Sequence, residues 1–255
     1  MTRDQTILDY PIVLSLCCFI ALWLSVFIGA FYRKRLAPLE RDERDDLGVI
    51  QAAALTLLGL LIGFTFSMAI DRYEQRKNYE EAEANAIGTE YVRADLLPAE
   101  DASRVRELLK SYLDQRILFY STRDSKQLRQ IDMTTNQLQN ELWTVVQARA
   151  ATQATPIVAL AVSGMNDVLN SQGYTQAAWW NRIPFEAWVL LVAIAIGCNL
   201  LLGYGAHRIS FLFVVLPVAV SVSFLLIADI DSPRSGVIHV KPLNLVSLSQ
   251  TINAH

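Results

Sequence analysis

Three residues spaced by four, Thr56, Leu60 and Phe64, form the pattern with the most specific functional meaning in this sequence. Residues at i, i+4 and i+8 lie along one side of a helix. If several copies of such a helix direct this side at a shared axis, its apolar residues form a constriction that gates by dewetting. An ordinary packing stripe has the same spacing, so both interpretations stay open.

Small and polar residues accompany this stripe inside apolar stretches. Gly59 and Gly63 form a GxxxG pair, a spacing that lets two helices approach closely. We favour a packing role for this pair over a pore hinge. Asn199 is a strongly polar amide in a later apolar stretch, and we expect it to hydrogen-bond to a neighbouring helix or to line a polar path.

Charged residues follow the stripe at the polar end of the same stretch. Asp71 and Arg72 come first, and the acidic residues Glu80, Glu81 and Glu83 follow. We interpret the acidic run as a solvated helix face, because a calcium site needs oxygen ligands that converge from several segments.

The remaining reactive residues show no catalytic signature, metal-ligand spacing or phosphate-binding loop. The three histidines are on separate segments, and the three cysteines are in apolar stretches where thiols act as small hydrophobic groups. They are His207, His239 and His255, and Cys17, Cys18 and Cys198. We therefore predict no enzyme activity, no metal and no cofactor. The net charge of −3 gives no indication of nucleic-acid binding.

The distribution of charge indicates an integral membrane protein. Of 255 residues, 53% are hydrophobic, and none of the 47 charged residues lies in 11–31, 47–70, 187–206 or 209–228. Each stretch reaches the ~20 residues that a helix needs to cross a bilayer. We predict an all-α membrane protein with four transmembrane helices. The predicted spans are 11–32, 47–70, 184–206 and 209–228.

A helical extramembrane domain is predicted between spans two and three. The helical pattern of the second span continues to residue 97 without a proline, so one helix should leave the bilayer and enter this domain. Pro98 and Thr155-Pro156 signal new helix starts, and Gly173 is predicted to end a helix. The predicted divisions are 1–70 (transmembrane pair), 71–183 (extramembrane domain), 184–228 (transmembrane pair) and 229–255 (tail).

Two features concern the membrane boundary. Trp179, Trp180 and Trp188 bracket the start of the third span and are predicted to form an anchoring belt. The basic loop 32–46 favours a cytoplasmic location for that loop, which would place both termini and the middle domain outside. The basic residues of 72–77 at the membrane edge oppose this orientation, so the charges leave the orientation open.

Two segments resemble a known family. GFTFSMAIDRYEQRKNYEEAEANAIG, residues 63–88, resembles the end of the second transmembrane helix in bestrophin chloride channels, where a glycine–aromatic pair precedes an arginine–aromatic pair. DIDSPRSG, residues 229–236, resembles the acidic turn that follows the last bestrophin helix. EANAIGTEYVRADLLP, residues 83–98, adds to these, and the whole chain resembles the bestrophin-like domain group of bacterial membrane proteins.

This resemblance implies a four-span subunit of a pentamer whose second helix lines an anion pore. Leu60 and Phe64 match hydrophobic neck positions, and Arg72 matches the arginine at the helix end. Thr56 matches a third neck position but is polar where the family is apolar, which weakens the case for a tight gate. The acidic calcium-binding run of animal bestrophins is absent from this sequence. In the post-helix acidic turn, only Asp229 and Asp231 lie near its position, so calcium gating is not expected.

The resemblance also implies a multi-pass protein of the bacterial inner membrane with cytosolic termini and a cytosolic middle domain, against the charge of loop 32–46. The expected partners are the lipid bilayer, further copies of the chain and an inorganic anion. The competing hypothesis is a non-conducting membrane-anchored scaffold or sensor, whose helical domain binds a partner.

Overall fold

A computed structural model of the chain describes residues 10–35, 40–206 and 210–254. Within these ranges the chain forms α-helices, short 3₁₀ helices at Ala94–Leu96 and Phe211–Val214, and turns, and no strand. The all-α fold class is thus confirmed. The α-helices are α1 (Pro11–Arg35), α2 (Arg41–Arg93), α3 (Ala99–Ser121), α4 (Ser125–Thr152), α5 (Pro156–Trp180), α6 (Phe185–Gly205), α7 (Val215–Asp231) and α8 (Leu243–Asn253).

In the described part of the chain, three helical stretches are long and apolar enough to cross a membrane: Pro11–Arg35, Asp42–Leu96 and Pro156–Gly205. They contain the first two predicted spans and all but the last residue of the third. The fourth, 209–228, stays a prediction, because α7 has 17 residues, fewer than the ~20 that cross a hydrocarbon core. Pro217 lies in the first turn of α7, where a proline is tolerated.

Helix α2 extends over 53 residues, which confirms that one helix continues beyond Ile70. The described chain packs as two units, and α2 contributes to both. We call residues 10–35, 40–72, 182–206 and 210–239 the apolar unit, and residues 73–181 and 240–254 the helical unit.

In the apolar unit, α1 packs against α6 and α7. Two glycines allow the closest contact: Gly29 lies on the backbone of Leu200, and Gly203 lies on the backbone of Val26. A β-carbon at either glycine would overlap the facing carbonyl oxygen. This close approach between helices is the role that the sequence assigned to Gly59 and Gly63 instead.

Two polar or amphipathic residues of the apolar unit differ from expectation. Trp188 is buried against Phe224, with ring centroids 5.9 Å apart, so it packs inside the unit and is not part of a surface belt. Asn199 is buried, and its amide donates to the carbonyl of Ala195 at 2.8 Å, in its own helix and not in a neighbouring one.

In the helical unit, α3 follows Pro98 and α5 starts at Pro156, as predicted. The Thr155 side chain accepts a hydrogen bond from the backbone N–H of Val158 at 3.2 Å and caps α5. Gly173 does not end α5, which continues to Trp180. Burial of residues beyond the glycine offsets the ~1 kcal/mol that a glycine costs inside a helix.

The core of the helical unit lies between α2, α3, α4, α5 and α8. Trp179 is buried in this core against Phe119 and Tyr120, with ring centroids 4.9 and 5.3 Å away. The predicted anchoring role is therefore wrong for Trp179, whereas Trp180 is exposed. The predicted tail 229–255 contains α8, which packs against α3.

Candidate functional site

The stripe of Thr56, Leu60 and Phe64 is exposed along α2. No other part of the described chain covers these side chains, and Leu60 and Phe64 are 52% and 62% exposed. On the opposite side of the same helix, Leu58 and Ala69 are buried within the apolar unit. The apolar half of α2 therefore has one side fixed by its own chain and one side available to lipid, to another copy or to a water-filled axis.

The hydroxyl group of Thr56 is already hydrogen-bonded within α2. Its hydroxyl donates a hydrogen bond to the carbonyl of Ala52 at 2.9 Å, one turn earlier in α2. The bond uses the only hydroxyl proton, so Thr56 retains lone pairs alone for water. The polar residue at this neck-like position consequently opposes dewetting less than a free hydroxyl would.

Gly59 and Gly63 lie beside the stripe. A methyl group added to either glycine would have no heavy atom within 4 Å in the described part of the chain. Their predicted packing role therefore has no partner among the described residues, and it stays a prediction for a surface of another molecule.

The side of α2 that carries the stripe continues beyond Ile70. With 3.6 residues per turn, Ser67, Asp71, Glu74 and Glu81 fall on this side, and all four are exposed. The stripe thus changes along the helix from apolar to small and polar, and then to acidic.

Arg72, next to Asp71, forms an ion pair with Asp231. Its Nη1 lies 3.4 Å from Oδ1 of Asp231, and the side chains are only 17% and 4% exposed. Asp231 also accepts the backbone N–H of Ile183, with N–O distances of 3.1 and 3.3 Å to its two oxygens, and Oδ2 lies 3.8 Å from Nε of Arg182. The structure therefore joins two separately predicted residues, Arg72 and Asp231, at one ion pair.

Asp229 closes the acidic turn through the backbone. Its two oxygens accept the N–H groups of Val237 and Ile238, each at 2.8 Å. Gly236 lies against Asp229 so closely that a β-carbon there would overlap the carbonyl oxygen of Asp229. Both predicted aspartates are thus engaged in local hydrogen bonds or ion pairs.

The acidic run on α2 is not a uniformly solvated face. Glu80 and Glu83 are buried in the helical unit, and only Glu81 is exposed. Glu80 accepts the backbone N–H groups of Asn244 and Leu245 at 2.9 and 3.0 Å, so it caps the start of α8. The prediction was wrong because it treated three adjacent acids as one surface, although residues three apart share a side that Glu81 does not.

Glu83 forms the buried ionic centre of the helical unit. Its carboxylate pairs with Arg116, and it accepts hydrogen bonds from Tyr120 at 3.3 Å and Thr175 at 3.1 Å. Glu83 raises the pKa of Arg116 against the opposing effect of burial. Burial and the Glu83 charge raise the pKa of Tyr120, which therefore stays a neutral donor.

A spacing signal could have identified these buried charges. Arg76, Glu80, Glu83, Ile87 and Glu90 alternate steps of four and three, the spacing of a buried helix stripe, and all five are buried. The pattern is inconspicuous because four of its five members are charged.

Comparison with known proteins identifies the family. A family model described as a Bestrophin-like domain matches residues 18–245. The chain belongs to this family. The bestrophin-like match includes all of α2 and the acidic turn at Asp229 and Asp231. No curated protein matches the sequence.

Solved structures share the bestrophin-like fold. A mutant of a bacterial Bestrophin homolog from Klebsiella pneumoniae is 16% identical and has a TM-score of 0.62, with 96% of each chain covered. Another crystal structure of that homolog is 17% identical and has a TM-score of 0.61, with 94% of this chain and 95% of that chain covered. At this identity the likeness establishes the fold.

Proposed function

We propose that the chain is one subunit of an oligomeric ion pore and that α2 lines its axis. The observation that carries this proposal is the uncovered stripe of α2, which passes from Thr56, Leu60 and Phe64 to Ser67 and Asp71. Hydroxyl and carboxylate groups are unfavourable on a surface that faces only lipid. Polar groups near the bilayer usually face a bundle interior or a water-filled cavity.

The bestrophin-like resemblance supports a proposed assembly of several copies. Each subunit would cross the inner membrane of a bacterium four times, with α7 in the fourth span, and five copies would surround the axis. Gly59 and Gly63 would pack against the neighbouring copy, since their own chain leaves them uncovered. The domain 71–183 would be cytosolic.

Leu60 and Phe64 would form the narrow part of the pore. Rings of these side chains make an apolar constriction in which water is unstable, so ions pass only when the ring widens. Thr56, whose hydroxyl is bonded to Ala52, would complete the constriction one turn away. Arg72 would hold the polar end of α2 in place through Asp231.

The sequence resemblance implies an anion as the permeant ion. A second candidate, a cation pore, is favoured by Asp71, Glu74 and Glu81, which lie exposed on the stripe side of α2. Rings of carboxylates attract cations and repel anions. The nearby arginines do not neutralise this side, because Arg72 pairs with Asp231 and Arg76 is buried.

The test is ion flux through liposomes that contain the purified, assembled protein. The wild type should pass chloride or another ion, and the double variant Leu60→Ala and Phe64→Ala should change the flux. Phe66→Ala is the matched control, because Phe66 is exposed on a different side of α2. Absence of conductance for every ion tested, from correctly assembled oligomers, would refute the proposal.

The same preparation separates the alternatives. A reversal potential in a salt gradient gives the sign of the ion, and Glu74→Gln with Glu81→Gln should reduce cation preference if these acids line the path. A protein that conducts no ion and binds one partner stoichiometrically, with Arg72 dispensable for that binding, would instead support a membrane-anchored scaffold or sensor.

A further inference from the structure

Glu90 is a buried carboxyl group on the part of α2 that belongs to the helical unit. Its exposure is 0%, and neither carboxyl oxygen has a hydrogen-bond partner among the described residues. The other two buried acids of this helix differ, because Glu80 caps α8 and Glu83 pairs with Arg116. An unpaired carboxylate in such a place is strongly unfavourable, so the site favours the neutral acid.

The carboxyl group of Glu90 lies directly against α5. The contact is at Gly164, where a β-carbon would overlap Oε2 of Glu90 and would lie 2.6 Å from Nη1 of Arg93. Only a glycine leaves room for the carboxyl group at this point. The packing of α2 on α5 therefore depends on a titratable group that fills the contact without a hydrogen bond.

Two charged groups act on Glu90: Arg93, from α2 itself, and Asp167, from α5. Glu90 lies twenty residues beyond the apolar stretch 47–70, outside the predicted span. The pKa of Glu90 is raised to about 8: burial raises it most, Arg93 partly opposes the rise, and Asp167 adds to it. The group is thus mostly protonated near neutral pH.

We propose that Glu90 is a proton-binding site that couples pH to the packing of α2 against α5. When protonated, the neutral carboxyl group stays buried over Gly164. When the proton leaves to water, the carboxylate needs hydration, and the contact between α2 and α5 loosens. Because α2 also carries Leu60 and Phe64, this change would alter the pore, and that second step rests on the proposed function.

The direction of the pH effect on stability follows from linkage. The folded protein keeps a proton on Glu90 between its ordinary pKa of 4.5 and about 8, whereas the unfolded chain has released it. The stabilising contribution of Glu90 is therefore largest at acidic pH and is lost as the pH rises through about 8.

The experiment is thermal unfolding of the full chain between about pH 6 and pH 9. The wild-type midpoint should fall by ~5 °C or more over this range. Glu90→Gln, neutral at every pH, should remove most of this fall. Glu81→Gln, which changes an exposed acid on the same helix, should keep the wild-type pH dependence of the unfolding midpoint. A flat wild-type profile, or an unchanged pH dependence in Glu90→Gln, would overturn the proposal.

A second measurement avoids any substitution. Infrared absorption of a protonated carboxylic acid should be present in the wild type at neutral pH and should titrate away with a midpoint near pH 8. Absence of such a band would equally overturn the proton site. If the band and the midpoint titrate as expected while no ion flux is found, the proton site stands and the pore proposal fails. A pore whose flux is pH-independent would limit Glu90 to stability and refute the coupling step.

Discussion

Substitution of Glu83 should destabilise the protein more than loss of one hydrogen bond would, because the side chain compensates a buried positive charge. Glu83 and Arg116 both have fully buried side chains. Glu83 also accepts hydrogen bonds from Tyr120 and Thr175. In Glu83→Gln, the guanidinium of Arg116 remains buried without its counter-ion.

The magnitude follows from this burial. Removal of one partner of a buried ion pair costs about 3–5 kcal/mol. In a chain of this size, that loss lowers the unfolding midpoint by roughly 10 °C. Replacement of both partners, in Glu83→Leu with Arg116→Met, should recover much of the loss, because no buried charge remains. The recovery should be incomplete by about 1–3 kcal/mol, since Tyr120 and Thr175 lose their acceptor.

The assay is thermal unfolding of the wild type, Glu83→Leu, Arg116→Met and their double variant, arranged as a double-mutant cycle, with Glu83→Gln measured beside them. A coupling energy of about 2 kcal/mol or more between Glu83 and Arg116 is expected. Additive losses in the double variant, or a loss below about 1 kcal/mol in Glu83→Gln, would show that the pair is not a desolvated charge centre.

Two further predictions concern contacts that bring distant segments together. Gly203→Ala should lower the free energy of unfolding by about 1–3 kcal/mol in thermal unfolding, because its methyl group would overlap the carbonyl of Val26. The control is Gly197→Ala on the same helix, which meets open space and should not be destabilised. Equal midpoints for the two variants would contradict the close α1–α6 contact. Glu80→Ala should speed protease cleavage of the C-terminal segment, since α8 loses its cap, and Glu81→Ala should not. The same cleavage rate in both variants would contradict the capping role of Glu80.

The helices that could be predicted are those whose signals are local. The absence of charge from 11–31 and 47–70 indicated the first two spans, and the absence of a proline before Pro98 indicated that α2 continues beyond them. Both signals depend on neighbouring residues alone, and the structure confirms the long helix. The family resemblance depended on equally local motifs, and it is confirmed over residues 18–245.

The contacts that could not be predicted depend on residues far apart in the chain. Gly29 and Gly203 form the close helix contact, but no short motif relates one to the other. Arg72 and Asp231 were both singled out, yet only the structure shows that they form a pair. A local pattern gives the side of a helix on which a residue lies, and it does not identify what covers that side.

The buried acids of α2 illustrate the same limit. An acid is usually exposed, and that expectation placed Glu80 and Glu83 in water. Their partners, α8 and Arg116, come from later in the chain and make burial favourable. Leu60 and Phe64 are the opposite case, because they are apolar and yet exposed in their own chain. Their exposure could be predicted only from the hypothesis that another molecule covers them.

The central claim, that α2 lines a conducting axis, is tested most directly by thiol accessibility. Leu60→Cys would be introduced into a protein whose native cysteines, Cys17, Cys18 and Cys198, have been replaced, and ion flux would be recorded before and after a water-soluble thiol reagent. The control is Leu58→Cys, which lies on the buried side of the same helix. We predict that the reagent reduces flux through Leu60→Cys and leaves Leu58→Cys unchanged. Conducting protein with no effect at position 60, or with equal effects at both positions, would contradict the account.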